Sequence, residues 1–258
     1  MRITQAIVRT PAPNFAAGIA SAIGGGDPDV AAALEQHERY CETLRNCGLQ
    51  LIRLAADVAY PDSTFIEDTA VLTAEAAIVT RPGAASRAGE TAAARELLRG
   101  IFPTVREIKA PGTLDGGDVC EVDGDFFIGV SGRTNTEGAR QLAALLRELG
   151  HNSTTVDIRA SESLLHLKTG LSYLGGGVFV VSSDVVLDDA LKAYDLIRVA
   201  PAEAYAANCI RVNDHVLIAA GYPLLLATLE ARGYRLATLA MSEFRKMDGG
   251  LSCLSLRF

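Results

Sequence analysis

Residues 119–158, VCEVDGDFFIGVSGRTNTEGARQLAALLRELGHNSTTVDI, hold one complete structural unit. Two short apolar runs, Val119 to Val122 and Phe126 to Val130, flank the dipeptide Asp123-Gly124, as two strands joined by a tight reversal would. Asn135 then opens a helical run that reaches Glu148, Gly150 closes it, and Ser153 to Ile158 reads as a third strand. The unit is strand, strand, helix, strand.

The same order recurs on both sides. Upstream lie Glu90 to Arg99, Gly100 and a strand from Thr104 to Ile108. Earlier still, a helix beginning near Pro28, with Asp27 as its N-cap, runs to Gly48 and is followed by the strand Leu49 to Leu54. Downstream, Asp188 to Tyr194 leads into Leu196 to Val199, and a helix opening at Pro223 closes at Gly233 before Tyr234 to Leu239. Gly48, Gly100 and Gly150 fall roughly 50 residues apart, a repeat spacing. The first unit has one preceding apolar run, Ile3 to Val8, whereas Leu251 to Leu256 is a terminal strand without a helix. Together these ends complete a fifth unit and leave no unpaired sheet edge. The expectation is an α/β fold, a five-bladed α/β propeller of ββαβ units closed by its N- and C-terminal strands, with residues 1–258 as a single domain.

Composition narrows the function. Of 258 residues, 49% are hydrophobic and 21% charged, an ordinary globular balance. Apolar stretches such as Val178 to Val181 fall far short of the ~20 residues that span a bilayer, and Arg9 and Pro11 interrupt any signal-peptide core. No membrane and a cytoplasmic location are expected. The five cysteines, Cys41, Cys47, Cys120, Cys209 and Cys253, form neither an even set nor a CxxC pair, against a disulfide framework or zinc knuckle. A net charge of -7 without a basic run leaves no footprint for nucleic acid. His37, His151, His166 and His215 show no metal-ligand spacing; neither a metal nor a cofactor is expected. The glycine runs at 24–26 and 175–177 lack a following Lys-Ser/Thr and read as turns. The small, glycine-rich segment Asn14 to Asp27 is long enough to serve as a mobile cover.

The chemistry-bearing residues gather at the entrance to the first strand of each unit. In order these entrances carry Phe65-Ile66-Glu67-Asp68, Leu114-Asp115-Gly116-Gly117-Asp118, Leu165-His166-Leu167-Lys168-Thr169, Ala207-Asn208, and Asp248-Gly249-Gly250-Leu251-Ser252-Cys253. A thiol, an imidazole and a carboxylate are the parts of a nucleophilic site. The remaining acids, if uncompensated, call for a cation such as a planar guanidinium. Each residue taken singly has a structural reading as well: Cys253 as a core thiol, His166 as a core histidine, Asp115 and Asp118 as turn residues, Glu67 and Asp68 as caps.

The motifs Pro61-Asp62-Ser63-Thr64-Phe65-Ile66-Glu67-Asp68, Thr80-Arg81-Pro82-Gly83, Leu114-Asp115-Gly116-Gly117-Asp118, Arg133-Thr134-Asn135, His166-Leu167-Lys168-Thr169-Gly170 and Met247-Asp248-Gly249-Gly250-Leu251-Ser252-Cys253 carry a resemblance. Along essentially its whole length the chain resembles the dimethylarginine dimethylaminohydrolases of the pentein, or guanidino-group-modifying, superfamily. The resemblance implies hydrolysis of an Nω-methylated arginine, asymmetric dimethylarginine or monomethylarginine, to citrulline and a methylamine. It implies Cys253 as nucleophile, His166 as general acid and base, and Asp115 as the acid orienting His166. It implies further that Asp68 and Glu67 hold the guanidinium, that Arg87 and Arg133 grip the α-carboxylate, and that Ile19, Phe65, Asp62 and the Met247 backbone complete the pocket. Arginine deiminases, the nearest rival, are larger and typically show His-Leu-Asp where this chain has His166-Leu167-Lys168. A non-catalytic relative of the same fold and a cysteine peptidase are the more distant alternatives. The small-molecule substrate is the partner expected; a homodimer is expected only because soluble enzymes commonly form one.

Overall fold

A computed structural model describes residues 2–21, 25–161, 163–185 and 188–258. The segment expected to be a mobile cover includes residues 22–24, outside the described residues. The chain groups into two compact units, Met1–Ile66 with Asn208–Phe258, and Glu67–Ala207.

The first strands in chain order are β1 (Gln5–Arg9), β2 (Gln50–Leu54), β3 (Ala70–Leu72), β4 (Ala76–Val79) and β5 (Thr104–Glu107). Next come β6 (Val119–Val122), β7 (Asp125–Val130), β8 (Ser153–Asp157), β9 (Leu171–Gly175), β10 (Val178–Ser182) and β11 (Asp195–Val199). The last are β12 (Ile210–Val212), β13 (His215–Ala219), β14 (Arg235–Leu239) and β15 (Leu256–Arg257). They form five three-stranded sheets, β15-β1-β2, β3-β4-β5, β6-β7-β8, β11-β10-β9 and β12-β13-β14. Each sheet has one antiparallel pair, and its other pair is parallel across a helix.

In the larger unit, residues 119–158 fold as their sequence reads. Asp123 and Gly124 both have positive φ, 51° and 92°, the backbone that a two-residue hairpin turn demands, and Val122 pairs with Asp125 across it. Asn135 caps the helix Thr136–Glu148 by accepting the Gly138 N–H at 2.8 Å. Phe126, Ile128 and Val130 enter a core with Val71, Ile78, Leu114, Leu142 and Leu146. Phe127, on the opposite face, packs with Leu167, Leu171, Phe179 and Val181. Side chains alternate across a strand, so a strand covered on both faces shows an unbroken apolar run.

In the other unit the chain ends meet. Strand β1 pairs antiparallel with β15, Ile7 opposite Leu256, and parallel with β2, Ala6 opposite Leu51. The β12–β13 turn is tied to the N-terminal segment by Asn213, whose side chain accepts the Ile3 N–H and donates to the carbonyls of Ile3 and Cys47, all at 2.9 to 3.0 Å.

Several boundaries differ from expectation: the helix expected over Asp188 to Tyr194 ends at Leu191, the strand expected over Ile3 to Val8 is Gln5–Arg9, and two further shifts have a local cause. The first helix is Val30–Asn46 with Asp29 rather than Asp27 as N-cap, because it is the Asp29 carboxylate that reaches the N–H groups of Ala31 and Ala32. The final stretch is not a strand from Leu251. Ser252–Leu254 forms a 3-10 turn, since Asn208 captures Ser252 by accepting its N–H at 2.9 Å and donating to its hydroxyl at 3.0 Å. Such local bonds compete with the ladder, and pairing starts only at Leu256.

Candidate active site

A short helical turn precedes the first strand of every sheet: Ile66–Thr69, Gly116–Asp118, Leu167–Gly170, Pro201–Ala207 and Ser252–Leu254. The chemistry-bearing residues sit on or beside these turns, Asp115 and His166 as N-caps. The repeat therefore delivers them to matching places in their units.

Within the larger unit Asp68, Asp115 and His166 are buried and their donor atoms lie within 4.8 Å of one another. His166 Nε2 stands 3.0 Å from Asp115 Oδ2, so aspartate is long enough to reach the imidazole. The other Asp115 oxygen accepts the Gly83 N–H at 2.8 Å. Burial by itself would push the His166 pKa down, but the charges of Asp68 and Asp118 and the bond to Asp115 outweigh it and raise the value to about 9. Asp68 accepts the Gly117 N–H at 2.9 Å and Arg87 Nη1 at 2.6 Å. Burial would raise its pKa, yet the His166 and Arg87 charges hold it down at about 2.

Asp68, Glu90 and Glu67 carry their own cations. Arg87 binds Asp68 through Nη1 and Glu90 through Nε and Nη2; Lys168 Nζ donates to Glu67 Oε1 at 2.6 Å. The sequence argument that these carboxylates lack compensation is corrected by these pairs. Glu90 and the Glu67 pairing of Lys168 were missed. An acid three positions after an arginine is a helical-turn pairing that could have given Glu90; the Lys168 contact spans a sequence separation of 101 residues and leaves no local signal. Arg133 lies at the edge of the cluster, Nη1 4.0 Å from Asp115 Oδ2.

The glycines of Asp115-Gly116-Gly117 are explained by close approach. Neither has positive φ, but a Cβ on Gly116 would stand 2.0 Å from the Glu67 carbonyl oxygen, and one on Gly117 would stand 2.8 Å from His166 Nδ1.

In the other unit Cys253 lies on the Ser252–Leu254 turn, where its Sγ accepts the Gly250 N–H at 3.4 Å. It is half-buried, whereas Cys41, Cys47, Cys120 and Cys209 are buried. Burial pushes the thiols of Cys41 and Cys120 up to about 11 and raises that of Cys47, away from thiolate chemistry. The predicted Ile19, Asp62, Phe65 and Met247 are in this unit. Asp62 accepts the Ile19 N–H at 3.0 and 3.2 Å; a Cβ on Gly18 would meet Asp62 and Met247, and one on Gly249 would meet the Phe65 ring at 2.2 Å.

Five ββαβ sheets bearing a carboxylate-held histidine and an accessible cysteine define a hydrolase of the guanidino-group-modifying α/β propellers. Comparison with known proteins agrees. An arginine deiminase family model matches residues 59–220. The chain is 43% identical to the N(G),N(G)-dimethylarginine dimethylaminohydrolase of Pseudomonas aeruginosa over 98% of both chains. It is 32% identical to that of Streptomyces coelicolor, over 98% of this chain and 96% of that one. A cysteine-to-serine mutant of the P. aeruginosa protein complexed with citrulline superposes with a TM-score of 0.96 at 42% identity, covering all of both chains. A histidine-to-glycine mutant of a dimethylarginine dimethylaminohydrolase carrying an S-methyl-L-thiocitrulline adduct gives 0.95 at 42% identity, over 99% of this chain and 100% of that one. The chain belongs to the dimethylarginine dimethylaminohydrolase family of the pentein superfamily, and its fold is the five-bladed α/β propeller expected from the repeat.

Proposed function

We propose that this protein hydrolyses an Nω-methylated arginine to citrulline and a methylamine, with residues 1–258 acting as one catalytic domain. The observation that carries the reading is the buried His166–Asp115 pair, 3.0 Å across, whose imidazole favours the protonated form.

In this reading the Cys253 thiolate attacks the guanidinium carbon. His166 protonates the methylated nitrogen as its bond to carbon breaks, and the amine leaves a thiouronium on sulfur. His166, now neutral, takes a proton from water, whose oxygen attacks the same carbon. The carbon–sulfur bond breaks as the added hydroxyl releases its remaining proton to the freed amine, citrulline departs and the thiolate is restored. Asp115 holds the imidazole throughout. A free Cys has a pKa of about 8.5, and a guanidinium docked beside it favours the thiolate.

Asp68 and Glu67 are the acids assigned to the guanidinium. Arg133 is assigned to the α-carboxylate with Arg87, although Arg87 already holds two acids. Ile19, Asp62, Phe65 and the Met247 backbone complete the pocket. No helix among the described residues is long and apolar enough to cross a membrane; cytoplasmic residence and a homodimer belong to the proposal.

The test is citrulline release from asymmetric dimethylarginine and, separately, from arginine, using the wild type, Cys253→Ser and His166→Ala. Turnover of the methylated substrate alone, lost in both variants, is the expected result. Faster turnover of arginine would replace the reading with a deiminase, and no citrulline from either would reject it.

A further inference from the structure

Asp118 has no role in the reaction above, and its surroundings give it one. It is fully buried on the Gly116–Asp118 turn. Its Oδ1 accepts the N–H of Leu167, the residue after His166, at 2.9 Å. Its Oδ2 accepts the hydroxyls of Ser131 at 2.7 Å and Thr134 at 2.6 Å. Because the Thr134 proton points at Asp118, the Thr134 oxygen is free to accept the N–H of Asp115, which it does at 3.1 Å. Ser131 Oγ likewise accepts the N–H groups of Arg133 and Thr134, at 3.0 and 3.1 Å. One carboxylate thus fixes the backbone beside His166, the backbone of Asp115, and the turn that presents Arg133.

The contacts require an acid. A carboxylate accepts at both oxygens, whereas an asparagine has a single acceptor oxygen and would turn its N–H donors either to the two hydroxyls or to the Leu167 N–H. In the first orientation both hydroxyls would have to turn away from the side chain, and in the second two donors would face each other at Leu167. Gly129 keeps the space open: a Cβ there would stand 3.0 Å from Leu167 Cβ and 3.1 Å from Asp118 Oδ1.

We propose that Asp118 is a positioning residue that sets the distance and angle between Asp115 and His166. The proposal rests on the function assigned above for its kinetic consequence only; the geometry it invokes is independent of substrate. The charged groups around His166 are Asp68, Asp115 and Asp118, with Arg87 on Asp68, Arg133 beside Asp115, and Lys168 from its own turn paired with Glu67 of the Ile66–Thr69 turn. Removing the Asp118 charge therefore also makes the imidazole less basic.

The test compares Asp118→Asn, Thr134→Val and Thr134→Ser with the wild type, reading kcat, KM and the His166 ring resonances in the full chain. Asp118→Asn is expected to lower kcat tenfold or more, in line with the roughly 100-fold cost of a 1 Å misplacement, with KM nearly unchanged. The His166 titration midpoint should move down and its downfield Nε2 proton signal should be lost. Thr134→Val should lose that signal and kcat while keeping the midpoint closer to wild type, and Thr134→Ser should recover both. A folded Asp118→Asn with wild-type kcat, midpoint and Nε2 signal overturns the proposal, and so does a Thr134→Val that retains both kcat and signal if Asp118→Asn does not fold. Should the wild type fail to turn over methylated arginine, the ring resonances still decide the matter.

Discussion

Arg87 Nη1 lies 2.6 Å from Asp68 Oδ2 with both side chains about 5% exposed, and the same guanidinium holds Glu90. Two acids on one buried arginine make it a structural fixture as well as a candidate carboxylate ligand. Arg87→Met would leave both acids buried without their guanidinium, at a cost of about 3–5 kcal/mol. Urea unfolding should show that loss, and Arg87→Lys should recover little, since an ammonium cannot reproduce the fork. A variant of wild-type stability with only a raised KM would instead assign Arg87 to the substrate.

Stability should peak near neutral pH, with two histidines shaping the limbs in opposite senses. His166, raised from 6.5 to about 9, keeps a proton that the unfolded chain loses, so its contribution is full below pH 6.5 and fades as the pH rises to about 9. His37 is buried beside Cys41, and burial first, then Arg53, lowers it from 6.5 to about 4. The unfolded chain therefore takes up a proton that the folded chain refuses, and stability falls as the pH drops from 6.5 to about 4. Asp68, at about 2 against 3.8, adds a further loss below pH 3.8. Denaturant midpoints across this range should show a flatter acid limb in His37→Leu and a flatter alkaline limb in His166→Gln. Unchanged limbs would show that these histidines do not set them.

Gly117→Ala should disable the site while leaving the fold in place. The added Cβ would stand 2.8 Å from His166 Nδ1 and 2.9 Å from Asp68 Oδ1, so one of these must move. A displacement of this size costs on the order of 100-fold in rate. Gly124→Ala is the contrasting variant: its φ of 92° is strained for alanine, yet open space surrounds it. It should lose about 1–2 kcal/mol with activity intact. Equal activity in both would refute the close-approach explanation.

The repeat was legible because each unit carries its own punctuation. Asp123-Gly124 marks a hairpin, Asn135 a helix start, Gly150 a helix end, and the apolar run of β7 a strand buried on both faces. His166, Asp115 and Asp68 were legible as candidates by their matching places ahead of a first strand. What the sequence hid were partnerships between residues far apart in the chain. Glu67 with Lys168 and Asp118 with Leu167 are set by how neighbouring turns pack, and neither has a periodicity. The Cys253 stretch misled as a strand because Leu251, Leu254 and Leu256 look like one, while Asn208, 44 residues away, diverts Ser252 into a turn.

The segment before the first helix is held by two carboxylates, which gives its expected motion a measurable handle. Asp62 accepts the Ile19 N–H, and Asp248, itself at a positive φ of 57°, accepts both the N–H and the hydroxyl of Ser21, at 2.5 and 2.7 Å. The two anchors differ in setting. Asp62 is buried and its bond to Ile19 is part-buried, whereas the Ser21 contacts are exposed and compete more fully with solvent. Opening should therefore begin at Ser21 and be limited by Asp62. Amide exchange should be faster at Ser21 than at Ile19 in the wild type. Ser21→Ala removes only the hydroxyl bond and should speed exchange modestly at Ser21, whereas Asp62→Ala should release Ile19 by a factor of about ten, the equivalent of a lost bond worth about 1.4 kcal/mol. Equal protection at both amides, unaltered by Asp62→Ala, would mean that the fully buried Phe15, whose ring packs against those of Phe65 and Phe244, rather than these carboxylates holds the segment.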